Sequence, residues 1–103
     1  MNPTNVNTVV RYKVWPEKVA ENEELVRAVY RQLHELQPAG VHYATFKLRD
    51  GVTFQHVASF ETEEAHNVFR GLSAFKSFQV GIKDRCEEQP QASGAEVVGS
   101  FGF

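Results

Sequence analysis

His42 and His56 are the side chains of this sequence best suited to proton chemistry. A neutral imidazole in an apolar pocket can take a proton from a phenol or an enol near neutral pH, because its own ionisation falls in that range. Each could equally satisfy a local hydrogen bond or face water. As metal ligands they are a poor pair, with no carboxylate or thiolate placed to complete a set, so no metal site is expected. Tyr12, Trp15 and Tyr43 could stack on an aromatic substrate or donate a hydrogen bond, and the same rings serve well as core. Arg70, Lys76 and Arg85 could hold a carboxylate or phenolate at a pocket mouth, or simply be solvated. Cys86, in step with Phe78 and Ile82, reads as a small buried hydrophobe. His34 and His66 lie among polar residues and are expected to be exposed. Ser59 and Ser73 have no histidine and acid at hydrolase spacing, and no glycine-rich phosphate loop occurs.

What must position the two histidines is the stretch Val41 to Phe60, two β-rich runs joined through Arg49-Asp50-Gly51. An Asp-Gly pair in that setting signals a hairpin, and Gly51 can take the positive φ of a tight connection. Two registers compete. If Arg49 pairs with Val52, the even positions of the first strand share a face with the odd positions of the second. If Leu48 pairs with Val52 across a three-residue loop with a glycine bulge, the even positions of both strands share one face. That face collects Ala44, Phe46, Leu48, Phe54, Ala58 and Phe60, with His42 and His56 among them. The second register segregates apolar from polar residues more cleanly and is preferred, which places both histidines in one pocket.

Around the hairpin, Thr8 to Trp15 alternates as a strand, with Val10, Tyr12 and Val14 on one side. Pro16 then suits the first turn of a helix. Leu25, Val26, Val29, Tyr30, Leu33 and Leu36 recur on one helical stripe, and Pro38 ends it. Thr62 can cap a short helix to about Arg70. Gly71 breaks it, and Ser73 can cap a second helix running through Phe75, Phe78, Ile82 and Cys86. Gln89 to Gly94 reads as a linker and Ala95 to Phe103 as the last strand, while Met1 to Asn7 reads as a flexible terminus. Strand, helix, strand, strand, broken helix, strand is the α+β, ferredoxin-like arrangement. It predicts a four-stranded antiparallel sheet in the order 4-1-3-2, with the helices on one face and the other face open.

A chain of 103 residues is expected to form a single domain. Eight Phe, three Tyr and one Trp are a heavy aromatic load for so small a core, which suggests apolar area buried between subunits. The formal net charge of −2 gives no electrostatic reason to bind nucleic acid or an anionic membrane. The same strand order occurs in RNA-recognition modules, but Gly51-Val52-Thr53-Phe54 lacks the second glycine and basic context of their motif. A lone cysteine excludes an internal disulfide, and neither a signal peptide nor a membrane-length apolar run is visible, so a cytoplasmic location is expected.

Val9 to about Gln79 resembles the antibiotic biosynthesis monooxygenase family of the dimeric α/β-barrel superfamily. The resemblance rests on the strand leading into Trp15-Pro16-Glu17-Lys18, on Gln37-Pro38-Ala39-Gly40-Val41-His42-Tyr43, on the strand ending Phe60-Glu61, and on Ser73, Phe75 and Phe78. It implies a homodimer formed through the open sheet faces, with a small-molecule pocket between each sheet and its helices. Phe60, Phe69 and Gln79 then join Tyr12, Trp15 and Tyr43 at that pocket. The family often has Trp at the position of Phe60 and His at that of Phe69. Its haem-degrading members use an Asn, a Trp and a His where this chain has Val9 or Val10, Phe69 and Gln79, and none of these can ligate iron. The resemblance therefore implies no haem degradation. Its quinone-forming oxygenases need neither metal nor flavin, so no cofactor is expected. The alternative is a non-catalytic dimeric binding or accessory module.

Overall fold

The computed structural model describes residues 6–102. Four strands, β1 (Val6–Val14), β2 (Val41–Lys47), β3 (Thr53–Phe60) and β4 (Cys86–Gly94), form one sheet in the order β2-β3-β1-β4, every neighbouring pair antiparallel. This is the expected ferredoxin-like order. A short 3-10 turn (Pro16–Lys18) leads into α1 (Val19–Leu36), and α2 (Glu63–Arg70), α3 (Ser73–Gln79) and the single turn α4 (Ile82–Arg85) fill the second crossover.

The core lies between the helices and one face of the sheet. Tyr12 and Val14 of β1 and Phe54, Ala58 and Phe60 of β3 pack with Val26 and Val29 of α1, Ala65 and Phe69 of α2, Leu72, and Phe78 of α3. Burying each such large apolar side chain contributes about 1.5–3 kcal/mol. The expected stripe of α1 holds except at its end, where Leu36 is 55 % exposed. The helix stops because Gln37 turns left-handed (φ 47°) ahead of Pro38. Thr62 caps α2 as expected, accepting a hydrogen bond from the Ala65 amide.

Three expectations are corrected. In the hairpin, Lys47 faces Phe54 and Thr45 faces His56, and the Leu48 amide donates to the Thr53 carbonyl. The even positions of β2 therefore share a face with the odd positions of β3, the register that cleaner segregation argued against. The Asp50 carboxylate decides it: Oδ1 accepts the Val52 and Thr53 amides at 3.0 and 2.9 Å, and Oδ2 accepts the Thr53 hydroxyl. Those amides thus need no partner across a tighter loop. The sequence signal misled because the open face is itself partly apolar, carrying Ala44, Phe46 and Val57.

The second correction concerns β4. It is Cys86–Gly94, so Gln89 to Gly94 is strand and not linker. Of the expected strand Ala95 to Phe103, only the Ala95 amide continues the pairing, to the Asn7 carbonyl; residues 96–102 have no regular structure, and Phe103 lies outside the described residues. As an edge strand β4 can carry Pro90 and a polar sequence, and its register with β1 shifts between Arg11 and Lys13. Third, the last helix is broken: Gly81 (φ 79°) separates α3 from α4, Cys86 opens β4, and Leu72 rather than Ser73 stands at the cap of α3. At the other end, Val6 and Asn7 belong to β1, and the rest of the expected flexible terminus, Met1 to Asn5, lies outside the described residues.

Candidate functional site

The register places His56 on the helix-covered face, and its imidazole is 4 % exposed. Val10 of β1 and Thr45 of β2 flank it in the sheet. Tyr12 and Tyr43, two residues along on either side, reach it diagonally: the Tyr12 hydroxyl lies 2.8 Å from Nε2 and the Tyr43 hydroxyl 2.5 Å from Nδ1. The Thr45 hydroxyl lies 3.2 Å from the same Nδ1 and 2.7 Å from the Tyr30 hydroxyl of α1. Behind Tyr12, the Asn22 amide donates to its hydroxyl at 2.9 Å, and the Arg85 guanidinium donates to Asn22 Oδ1 at 3.0 Å. Two further donations, to the Phe78 and Val80 carbonyls, hold Arg85 over the Phe78 ring.

Burial governs the ionisation of this cluster. It pushes the His56 imidazole down to about 4, so the ring is neutral at physiological pH. It pushes the Tyr12 and Tyr43 phenols well above their ordinary range, so both keep their protons. Arg85 is 2 % exposed, and among the described residues its partners are an amide and two carbonyl oxygens, with no carboxylate at ion-pair distance.

Beside this cluster, at the C-terminal end of α1 and the start of β2, a cleft of about 310 Å³ is lined by Tyr30, Leu33, His34, Gln37, Pro38, Val41 and Tyr43. Tyr30 and Tyr43 stack with centroids 5.3 Å apart and form the wall between cleft and cluster. The cleft can seat a small, largely apolar ring with hydroxyl groups at its inner wall.

His56, Tyr12 and Tyr43 therefore meet in one place, and Phe69 joins them through its contact with Tyr43 (centroids 4.7 Å). Phe60 is buried one contact further away, against Phe69 and His66. The remaining expectations separate. His42 projects from the opposite face and is held by Glu61 at 2.6 Å, because the register inverts its strand relative to His56. Trp15 is 43 % exposed beyond the end of β1, and Gln79 is exposed at the end of α3. His66 is half-buried against Phe60 rather than exposed, whereas Cys86 is buried as expected. Of the three basic residues offered for a pocket mouth, Arg70 and Lys76 are exposed and Arg85 is internal.

Sequence reasoning missed Asn22, Tyr30 and Thr45 as members of the cluster, and misplaced Arg85. A faint signal existed. Asn22 stands one helical turn before Val26, and Arg85 three residues after Ile82, so each is a polar group in line with an apolar stripe.

No helix among the described residues is long and apolar enough to cross a membrane. No protein-family model and no curated protein matches the sequence. Solved structures do match. One from Bacteroides thetaiotaomicron, named for the antibiotic biosynthesis monooxygenases, superposes with a TM-score of 0.81 at 16 % identity, over 97 % of this chain and 94 % of its own. Another so named, from Nitrosomonas europaea, gives 0.78 at 13 % identity over 99 % and 98 %. SnoaB, a cofactor-independent oxygenase from Streptomyces nogalater, gives 0.70 at 13 % identity over 96 % and 98 %. These likenesses extend over nearly the whole of both partners: the chain has the fold of the antibiotic biosynthesis monooxygenases.

Proposed function

We propose that this protein binds a small phenolic or enolisable aromatic compound in the cleft beside Tyr30 and Tyr43 and oxygenates it without a cofactor. The observation that carries the reading is the buried Tyr12–His56–Tyr43 unit set against that cleft. Chemistry of this kind asks little of the protein. The substrate's own anion reduces dioxygen, one oxygen atom enters the ring, and the other leaves as water. The protein must orient the ring, exclude water and stabilise charge on the substrate oxygen, and buried phenol donors do this best where water is absent. His42 has no part in it. The working unit is a homodimer joined through the open sheet faces, in the cytoplasm.

Oxygen uptake over a panel of small phenols and enolisable aromatic ketones, in metal-free buffer, tests the reaction. Uptake with quinone formation is expected from the natural sequence, and His56→Ala should abolish it while the variant still folds. Turnover unchanged in the variant would remove His56 from the mechanism.

One observation favours the second reading, a non-catalytic binding module. Phe54, Phe69, Phe75 and Phe78 fill the space around the Tyr12–His56–Tyr43 unit, and the imidazole itself does not line the cleft. A ligand that binds the cleft tightly with no oxygen consumption by any panel member would support it.

A further inference from the structure

The buried chain has a direction, and donor counting sets it. Arg85 carries only donors, so the Asn22 atom facing it is the carbonyl oxygen, and the Asn22 amide must point at Tyr12. The Tyr12 oxygen thus already accepts one hydrogen. Its own hydrogen has one acceptor within reach among the described residues, His56 Nε2. A neutral imidazole that accepts on Nε2 carries its one hydrogen on Nδ1, and the nearer hydroxyl at Nδ1, from Tyr43, is then the acceptor. With Nε2 protonated instead, the Tyr12 hydrogen would be buried without a partner, at a cost of about 1–3 kcal/mol. Beside Tyr43, the Thr45 and Tyr30 hydroxyls lie 2.7 Å apart. The donations therefore run one way, from Arg85 to the Tyr43 hydroxyl, whose own hydrogen is turned away from His56 at the cleft wall.

We propose that Asn22 and Arg85 are positioning residues: by fixing the direction of this chain they hold His56 as the Nδ1–H tautomer, so that the chain ends at the cleft in a phenol donor, Tyr43, suited to an oxyanion such as a phenolate or enolate. The opposite direction would turn the hydrogens inward and leave the wall an acceptor, suited to neutral phenols. The ligand class rests on the reading of the cleft given above; the tautomer does not.

Asn22→Asp tests both parts. A carboxylate there accepts from Arg85 and also from Tyr12, so the Tyr12 hydrogen turns away from His56 and Nε2–H becomes the favoured tautomer. Nitrogen-15 NMR of the imidazole, with no ligand present, should show protonated Nδ1 in the natural sequence and protonated Nε2 in Asn22→Asp. Protonated Nε2 in the natural sequence overturns the proposal by itself, even if the variant fails to fold. With 4-nitrophenol as the probe, binding of the phenolate should weaken about tenfold in Asn22→Asp, the loss of one hydrogen bond to a charged group. Nitrobenzene, which lacks the hydroxyl, should bind both proteins alike. Equal phenolate affinity in the two proteins despite a switched tautomer would overturn the ligand class. Because 4-nitrophenol is only bound here, a protein that passes this test and oxygenates nothing would fail the reaction reading alone.

Discussion

At the scale of single residues, His56 is buried and its ionisation falls within the range where proteins are studied, so stability should register it. Its folded-state value, about 4, lies below the ordinary imidazole value of 6.5, so the unfolded chain takes up the proton first as pH falls. The contribution of the neutral ring is complete above about pH 6.5, declines between about 6.5 and 4, and is level below that; in full it amounts to roughly 3 kcal/mol. Urea unfolding across this range should therefore show a steeper acid loss for the natural sequence than for His56→Gln, whose amide can still bridge Tyr12 and Tyr43 but cannot titrate. Parallel curves for the two proteins would mean that His56 protonates in the folded state as readily as in the unfolded one. The tyrosines stay neutral throughout, since burial moves them the other way.

At the scale of elements, the hairpin loop decides which histidine is inside. Gly51 sits at φ 79° with open space where a Cβ would go, so Gly51→Ala adds backbone strain without a clash. It should destabilise by about 1 kcal/mol, read as a lower urea midpoint with unchanged slope. Asp50→Ala, which frees two amides and a hydroxyl, should in addition loosen the register and raise amide exchange at Val52 and Thr53. The sequence made the location of this hairpin legible, along with α1, the Thr62 cap and the strand order, because each rests on local chemistry or on a long periodic run. The register was not legible. It depends on which face is buried, and Phe46, Ala44 and Val57 make the open face look like a core face. Nor was β4, since an edge strand satisfies its backbone on one side only and needs no apolar alternation; its polar sequence and Pro90 looked like a linker. The site was half legible for the same reason. His56, Tyr12 and Tyr43 announce themselves by type, whereas Asn22 and Arg85 matter only because the fold brings α1 and α4 to the back of Tyr12.

At the scale of the whole molecule, the open face and the C-terminal arm are what remain unused. Phe46 is 51 % exposed on that face, beside half-buried Val9, Ala44 and Val57, while Arg11, Lys13 and Gln55 add polar groups. Such a mixture can stay wet, yet it also fits the profile of a subunit interface, whose average composition is no more apolar than ordinary surface. The proposed dimer would also give the C-terminal arm a use. Val97, Val98 and Phe101 stand 56, 100 and 102 % exposed, so this stretch has almost no apolar cover within its own chain. If two copies pair through their sheets, each arm has the partner's surface within reach, and its apolar side chains gain a place to bury. Sedimentation at micromolar concentration should then show a dimer for the natural sequence. Phe46→Glu sets a charge on the interface of each subunit and should shift the population to monomer, leaving the far-UV circular dichroism unchanged. Removal of residues 95–103 should weaken the dimer without dissolving it, because the sheet contact persists. A natural chain that sediments as a monomer at that concentration would leave the face solvated and separate the cleft reading from the homodimer.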